Sequence, residues 1–302
     1  MISKSVLRAH GLVLDVRASA SLAPSRNPTC IARTRDGERV FIKSAVTGDP
    51  GVDVERAALS SLLEVRAPVP RVLISEPGLL AIEWIEGRTL FELRRRPGRG
   101  FPVDRAIGRA LARVQRAGAR SLSQRVPGDF ASRAVWTTPE AYASASPAVL
   151  GLIRRVQSDG AAVKRLAWLL QNEAHVDRGA VHGDCRQPNV LVRGKSVTFI
   201  DWEASGLGDP ARDIGMLMAD DYRAWLAAET RTEWQPEKER ERHFAGLLAG
   251  WEREWGGEHR ERIWWWLAES LLRHEFARAH HLHVVKEHVV TAALELLRDS
   301  RA

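Results

Sequence analysis

The stretch His182-Gly183-Asp184-Cys185-Arg186-Gln187-Pro188-Asn189, continued by Phe199-Ile200-Asp201-Trp202-Glu203 and Gly206-Leu207-Gly208-Asp209-Pro210-Ala211-Arg212-Asp213, decides the fold. Val190-Leu191-Val192 and Val197-Thr198-Phe199-Ile200 are short apolar β-formers joined by the turn-like Arg193-Gly194-Lys195-Ser196, which predicts a hairpin. Such a hairpin carries Asn189 at its entry and Asp201 at its exit, close in space although separated in sequence. Carboxylate and carboxamide oxygens suit Mg2+, and Asp184 can orient a hydroxyl and accept its proton. An Asp beside Gly also makes ordinary turns, and an Asp at a strand end also caps the next element. The three residues together, in this order and with these apolar intervals, favour the chemical reading.

HGDCRQPN, FIDWE and GLGDPARD together resemble the aminoglycoside phosphotransferase and choline-kinase-like group of the protein-kinase fold. Its pattern is H-G-D, four residues and N, then I-D-[WF]-E, then G-D-P, two residues and D. His182, Gly183, Asp184, Asn189, Asp201, Glu203, Gly208, Asp209, Pro210 and Asp213 fill it. The resemblance implies an α+β, bilobal protein-kinase-like fold. A small antiparallel-sheet N-lobe with one helix would occupy residues 1–86, hinge included. A larger, mostly helical C-lobe would occupy 87–302, with the catalytic loop at 180–213 and acceptor-binding helices after it.

The implied reaction is in-line transfer of the γ-phosphoryl group from Mg-bound ATP to a hydroxyl, with Asp184 catalytic and Asn189 and Asp201 on the metal. His182 would organise the loop and Asp213 brace it. Arg186 has two readings, a γ-phosphate contact or an ion pair with a surface acid. Cys185 reads as a small packing residue. Upstream, Lys43 matches the strand lysine that bridges the α- and β-phosphates, and Glu55 the helix acid that holds it. Glu83-Trp84-Ile85 matches the hinge, where the Glu83 carbonyl and Ile85 amide would meet the purine. Those are backbone contacts, so GTP stays open as an alternative donor. The loop Ala18–Pro28 departs from the pattern: it contains no glycine. Ser21, Ser25 or Asn27 would then donate to phosphate in place of bare backbone amides, with Arg26 adding charge.

Local patterning fits this order. Residues 11–17 and 29–43 read as strands, the latter folded at Arg35-Asp36-Gly37. Residues 52–65 read as a helix with Val54, Ala58, Leu59, Leu62 and Leu63 on one side, and 79–85 as a strand. Helices follow at 104–117, 147–170, 211–229, 237–255, 259–283 and 285–299.

At 302 residues, 44% hydrophobic and 27% charged, the composition is that of a globular protein. No apolar run is long enough to span a membrane, no signal segment is visible and the cysteines number two, so cytoplasmic residence is the default. The net charge of +7 divides unevenly, with a slight acidic excess in 220–302. That split suits a nucleotide at one end and a cationic or neutral acceptor at the other; it equally suits solvated helix faces. Arg94-Arg95-Arg96 with Arg99 reads as a surface connector, since no aromatic residues interleave, and no nucleic-acid partner is expected. Trp264-Trp265-Trp266 cannot all face one core. Three functions stay open. The first is phosphorylation of an aminoglycoside-, amino-alcohol- or sugar-like small molecule. The others are phosphorylation of Ser/Thr in a precursor peptide and a nucleotide-binding pseudokinase scaffold.

Overall fold

A computed structural model describes residues 2–22, 26–94, 101–120, 122, 130–172, 178–228 and 236–299. The N-lobe runs α1 (Lys4–Ala9), β1 (Val13–Leu14), α2 (Val16–Ser19), β2 (Thr29–Arg33), β3 (Arg39–Ser44), α3 (Gly51–Glu64), β4 (Val72–Glu76) and β5 (Leu79–Glu83). Its five strands form one antiparallel sheet in the order β1-β2-β3-β5-β4. Gly37, at φ +84°, closes the β2–β3 hairpin, a conformation that favours glycine.

Alternation on β3 sorts its side chains. Val40 and Ile42 pack with Leu7, Leu12, Cys30, Ala32 and Ala81 on one face of the sheet. Phe41 and Lys43, opposite Ile82 and Leu80 in register, face the other way, towards α3. Val52, Glu55, Leu59 and Leu62 of α3 are all buried at helical spacing, so Glu55 takes a core position and the sheet presents Lys43 to it.

Residues 11–17 do not form one strand. The Asp15 carboxylate accepts the Ala18 amide at 3.0 Å, so it caps α2 and ends β1 at Leu14. With α1, capped by Ser3, this gives the N-lobe two short helices besides the expected one.

Residues 84–87 lead into β6 (Arg88–Thr89), α4 (Leu90–Arg94), α5 (Phe101–Gly118), α6 (Phe130–Val135), α7 (Pro139–Ser144), α8 (Pro147–Gln157) and α9 (Gly160–Asn172). The stretch expected as one helix over 147–170 is two, because the Asp159 carboxylate accepts the Ala162 amide and starts α9 afresh. Then come β7 (Gly179–Val181), a 3-10 turn at Gln187–Asn189, β8 (Val190–Arg193), β9 (Ser196–Phe199) and β10 (Gly206–Gly208). The chain closes with α10 (Ala211–Ala228), α11 (Pro236–Trp255), α12 (Arg260–Leu282) and α13 (Glu287–Arg298).

One continuous core joins α3 (Val52, Leu59, Leu62) to α5 (Ile107, Leu111) and to α10 and α12. Trp265 and Trp266 are buried in it, and Trp264 is half-buried against Phe244. Among the described residues no helix is long and apolar enough to cross a membrane.

Arg94 is no surface connector. Its side chain, 9% exposed, bonds to Asp104 and pairs with Asp221 at 3.0 Å, while Asp221 also accepts from the Gln187 side chain at 2.7 Å. Arg95, Arg96 and Arg99 lie outside the described residues.

Candidate active site

The loop between β7 and β8 is held from below by Asp213, at the start of α10. Its carboxylate accepts the backbone amides of His182 (2.8 Å) and Gly183 (3.1 Å) and the side chain of Gln115 (3.0 Å). Gly183 sits at φ +78°, and a Cβ there would lie 2.1 Å from the Ala204 carbonyl oxygen, so only glycine lets the two chain segments approach. His182 lies against the Trp202 ring and bonds the Ile200 carbonyl through Nε2 at 2.9 Å.

The hairpin forms as the apolar intervals predict, with Val190 opposite Phe199. The Ile200 amide donates to the Asn189 carbonyl at 3.0 Å, which sets Asp201 beside Asn189. Asn189 Nδ2 in turn donates to the Asp184 carbonyl oxygen (2.9 Å) and to Asp184 Oδ2 (3.0 Å). On the N-lobe side, Lys43 Nζ bonds Glu55 Oε2 at 2.7 Å and also Asp201 Oδ1. Glu55 Oε1 accepts the Trp202 amide at 3.2 Å. One chain of contacts therefore links Lys43, Glu55, Asp201, Asn189 and Asp184. Burial alone would pull the Lys43 ammonium down, but the charges of Glu55 and Asp201 outweigh it and hold the lysine protonated.

Asp201 adopts φ +70°, a strained conformation for a residue with a Cβ and one often found at functional sites. Asp201 Oδ2 and Asn189 Oδ1 have no protein partner among the described residues. Both are hard oxygen donors, as Mg2+ requires. Among the described residues no group of three or more His, Cys, Asp or Glu is arranged to hold a metal ion by itself. Such a sparse donor set fits Mg2+, which binds through one or two carboxylates and takes its remaining ligands from phosphates and water.

Asp184 is clamped by Arg186, Nε to Oδ1 at 2.7 Å and Nη2 to Oδ2 at 2.9 Å. Burial pushes the Asp184 carboxyl up, but the Arg186 bonds and charge prevail and hold it below the usual carboxylate range. With Arg186 and Asn189 both on Oδ2 and only Arg186 on Oδ1, a lone pair of Oδ1 stays open for an incoming hydroxyl. Of the partners expected for Arg186, the structure shows an acid, Asp184, two residues away. Burial, with the nearby carboxylates of Asp213 and Asp184, drives the Cys185 thiol well above its ordinary value; it is inert packing.

The remaining expected residues divide. The Ile85 amide has no protein partner among the described residues and is open to a ligand. The Glu83 carboxylate is tied to Arg71 at 2.8 Å, leaving only its backbone for a hinge role. Ser21 is corrected: its hydroxyl donates to the Ala18 carbonyl at 2.7 Å, closing the turn after α2. So is Asn27, a buried side chain whose Oδ1 accepts the Val46 amide (3.2 Å) and whose Nδ2 reaches Glu203 (3.4 Å). Both polar ends of Asn27 are used within the protein. Ser25 lies outside the described residues.

A cavity of about 150 Å3 opens beside Asp184 and Arg186, walled by α10 and α12 with Asp220, Arg223, Arg273 and His274. None of these four was singled out from sequence. The i, i+3 spacing of Asp220 and Arg223 is visible, but nothing local says which helix face meets Asp184. A larger cavity, about 580 Å3, lies between α10, α11, α12 and α13, lined by Tyr222, Phe244 and Trp264. It includes none of the residues of the catalytic loop.

Fold and site define a kinase-like phosphotransferase. The family model described as the phosphotransferase enzyme family (APH) matches residues 24–256, and the chain belongs to that family, whose reaction is phosphoryl transfer to a hydroxyl. Solved structures agree in fold. The amicoumacin kinase hAmiN, in complex with AMP-PNP, Ca2+ and Ami, is 14% identical with a TM-score of 0.64, over 99% of this chain and 94% of that one. A thermostable mutant of aminoglycoside phosphotransferase APH(4)-Ia, in ternary complex with ADP and hygromycin B, is 16% identical with a TM-score of 0.61, over 98% and 96%. A choline/ethanolamine kinase family protein from Mesorhizobium loti is 18% identical with a TM-score of 0.60, over 93% and 88%. Comparison with curated proteins gave no match.

Proposed function

We propose that this chain moves the γ-phosphoryl group of ATP to a hydroxyl of a small molecule, with the nucleotide between the N-lobe sheet and the catalytic loop. The observation that carries this reading is the meeting of two hydrogen-bonded groups, Glu55–Lys43–Asp201 and Asn189–Asp184, which the Ile200 amide joins by its bond to the Asn189 carbonyl. Lys43 would neutralise the α- and β-phosphates, releasing Asp201 from its present bond. Asn189 and Asp201 would hold Mg2+, which supplies charge neutralisation on the phosphates. The Glu83 carbonyl and the Ile85 amide would take the purine edge, with residues 84–87 as the boundary between lobes. Asp184 Oδ1 would align the acceptor hydroxyl and take its proton late. An ionised carboxylate of low basicity suffices, because positioning and charge neutralisation supply most of the rate.

Solved neighbours in complex with nucleotides and with small molecules support this reading; a peptide acceptor gains no support from them. The test is Asp184→Ala. Mg-ATP binding by calorimetry should persist while turnover falls by roughly 10²–10⁴-fold, the range for general acid–base groups. Retention of normal turnover would reject Asp184 as the catalytic residue.

A further inference from the structure

We propose that the cavity between α10 and α12 is the acceptor site, and that it selects an acceptor carrying an anionic group, a carboxylate or a phosphate, close to the reacting hydroxyl. The proposal rests on the phosphotransferase reading and adds the substrate class to it.

Three guanidiniums converge on this small space. Arg186 lies on Asp184, Arg223 comes from α10 and Arg273 from α12. Each has an acid partner. Arg186 pairs with Asp184, Arg223 Nη1 with Asp220 at 3.1 Å, and Arg273 Nη2 with Glu269 at 2.7 Å. A guanidinium offers five N–H donors in a fixed fork, so the single bond from Arg223 to Asp220 leaves most of its donors open.

On the cavity wall three guanidiniums outnumber two carboxylates, Asp184 and Asp220. Burial first, then Arg223, Arg278, Arg186 and Lys286, push His274 down to about 4, so the imidazole in the wall is neutral. Arg223 is itself held below its usual value by burial and by Arg186 and Arg278, in spite of Asp220 and Glu275. A bound anion would relieve both groups.

Ser270 supplies a second, independent sign. It lines the same cavity at 8% exposure, and its hydroxyl has no hydrogen-bond partner. A buried hydroxyl without a partner is costly and rare in native proteins unless a ligand or water completes it. Hydroxyl and guanidinium donors around one pocket recognise an anion. An ammonium group placed there would meet three guanidiniums, against two carboxylates, Asp184 and Asp220, that already pair with two of them. The acidic excess of residues 220–302 as a whole is a poor guide to this spot, because α10 and α12 turn Arg223 and Arg273 towards Asp184.

The experiment compares three-carbon probes that differ in charge: D-glycerate and glycerol 3-phosphate as anions, glycerol as the neutral match and serinol as the cation. Each is titrated into the full chain by ligand-observed NMR, with and without Mg-AMP-PNP. One of the two anions should bind at least tenfold more tightly than glycerol and serinol, and which one tells carboxylate from phosphate recognition. Arg223→Gln should weaken that binding at least tenfold. Ser270→Ala, which removes only a hydroxyl, should weaken it severalfold with an unchanged thermal unfolding midpoint. Equal or tighter binding of serinol or glycerol, no binding of either anion, or unchanged affinity in Ser270→Ala and folded Arg223→Gln overturns the proposal. Anion selection without any Mg-AMP-PNP binding would sink the phosphotransferase reading alone. Nucleotide binding without anion selection would sink only the acceptor class.

Discussion

Two loops meet near Asp201, and they are held by opposite kinds of contact. The catalytic loop hangs on buried bonds from backbone amides to the Asp213 carboxylate and is closed by Gly183 against Ala204. The loop before β2 is tied by Arg26, 66% exposed at its side chain, to Asp49 at 2.7 Å and to Glu203 at 3.4 Å. Bonds sealed from water fix geometry, whereas ion pairs in water hold it loosely. The catalytic loop is thus fixed by bonds sealed from water, while the segment before β2 is anchored at the buried Asn27 and held at Arg26 by exposed ion pairs.

Asp213→Ala is the hardest blow to the rigid side. It removes the acceptor of three buried donors, two of them backbone. Hydrogen bonds to a charged group contribute about 1.5–3 kcal/mol each, so a loss of roughly 5 kcal/mol is expected in a urea titration. An unchanged midpoint would mean that the loop is held by something other than this carboxylate.

Lys43→Met comes next. It leaves Glu55, fully buried, without its cation, although the Trp202 amide still donates to it. Breaking a buried pair by removing one partner costs about 3–5 kcal/mol, and the remaining bond places the expected loss near the lower end. Nucleotide affinity should fall with it. Full nucleotide affinity in a folded Lys43→Met protein would detach the lysine from phosphate binding.

Arg186→Met probes the junction of the rigid loop and the acceptor cavity. Asp184 must be ionised to take a proton, and Arg186 is what overrides the effect of burial. The wild-type carboxyl is held below the usual range, so its ionisation should not limit the rate from about pH 5 upward, given an ordinary carboxylate near pKa 3.9. Without Arg186 burial is less opposed, the Asp184 pKa climbs and the acidic limb of the rate profile moves to higher pH. The same sign holds for stability: the contribution of a depressed carboxylate is present above its unfolded pKa and is lost as pH falls. At neutral pH a roughly tenfold loss of turnover is expected, equivalent to about 1.4 kcal/mol. A pH profile identical to wild type would show that Arg186 does not tune Asp184.

The contrast between the loops also explains what could be read in advance. The hairpin from Val190 to Phe199 follows from intervals short enough for strand periods to fix, whereas the lysine on β3 and the brace at Asp213 were legible only through the resemblance of the motifs. Lys43 faces α3 because Val40 and Ile42 claim the other face. Asp15, by contrast, reads as part of a strand until its carboxylate is seen capping α2. Arg94 looks solvated within its basic run, but Asp104 and Asp221, distant in sequence, bind its side chain. The acceptor cavity was invisible for the same reason. Which side of α10 and α12 looks at Asp184 is set by their packing on each other, and both helices carry charge on more than one face.

The exposed ion pairs of Arg26 should matter least. In Arg26→Ala two ion pairs disappear from an exposed side chain, and such pairs contribute about 0–1 kcal/mol. Unfolding should shift by less than about 0.5 kcal/mol, because Asn27 still reaches Glu203 and the Val46 amide from a buried position. Any change in the KM for ATP should stay within a few-fold and vanish at high salt, where screening has already removed what the mutation removes. A large loss of turnover that persists at high salt would place Arg26 on the phosphates during reaction.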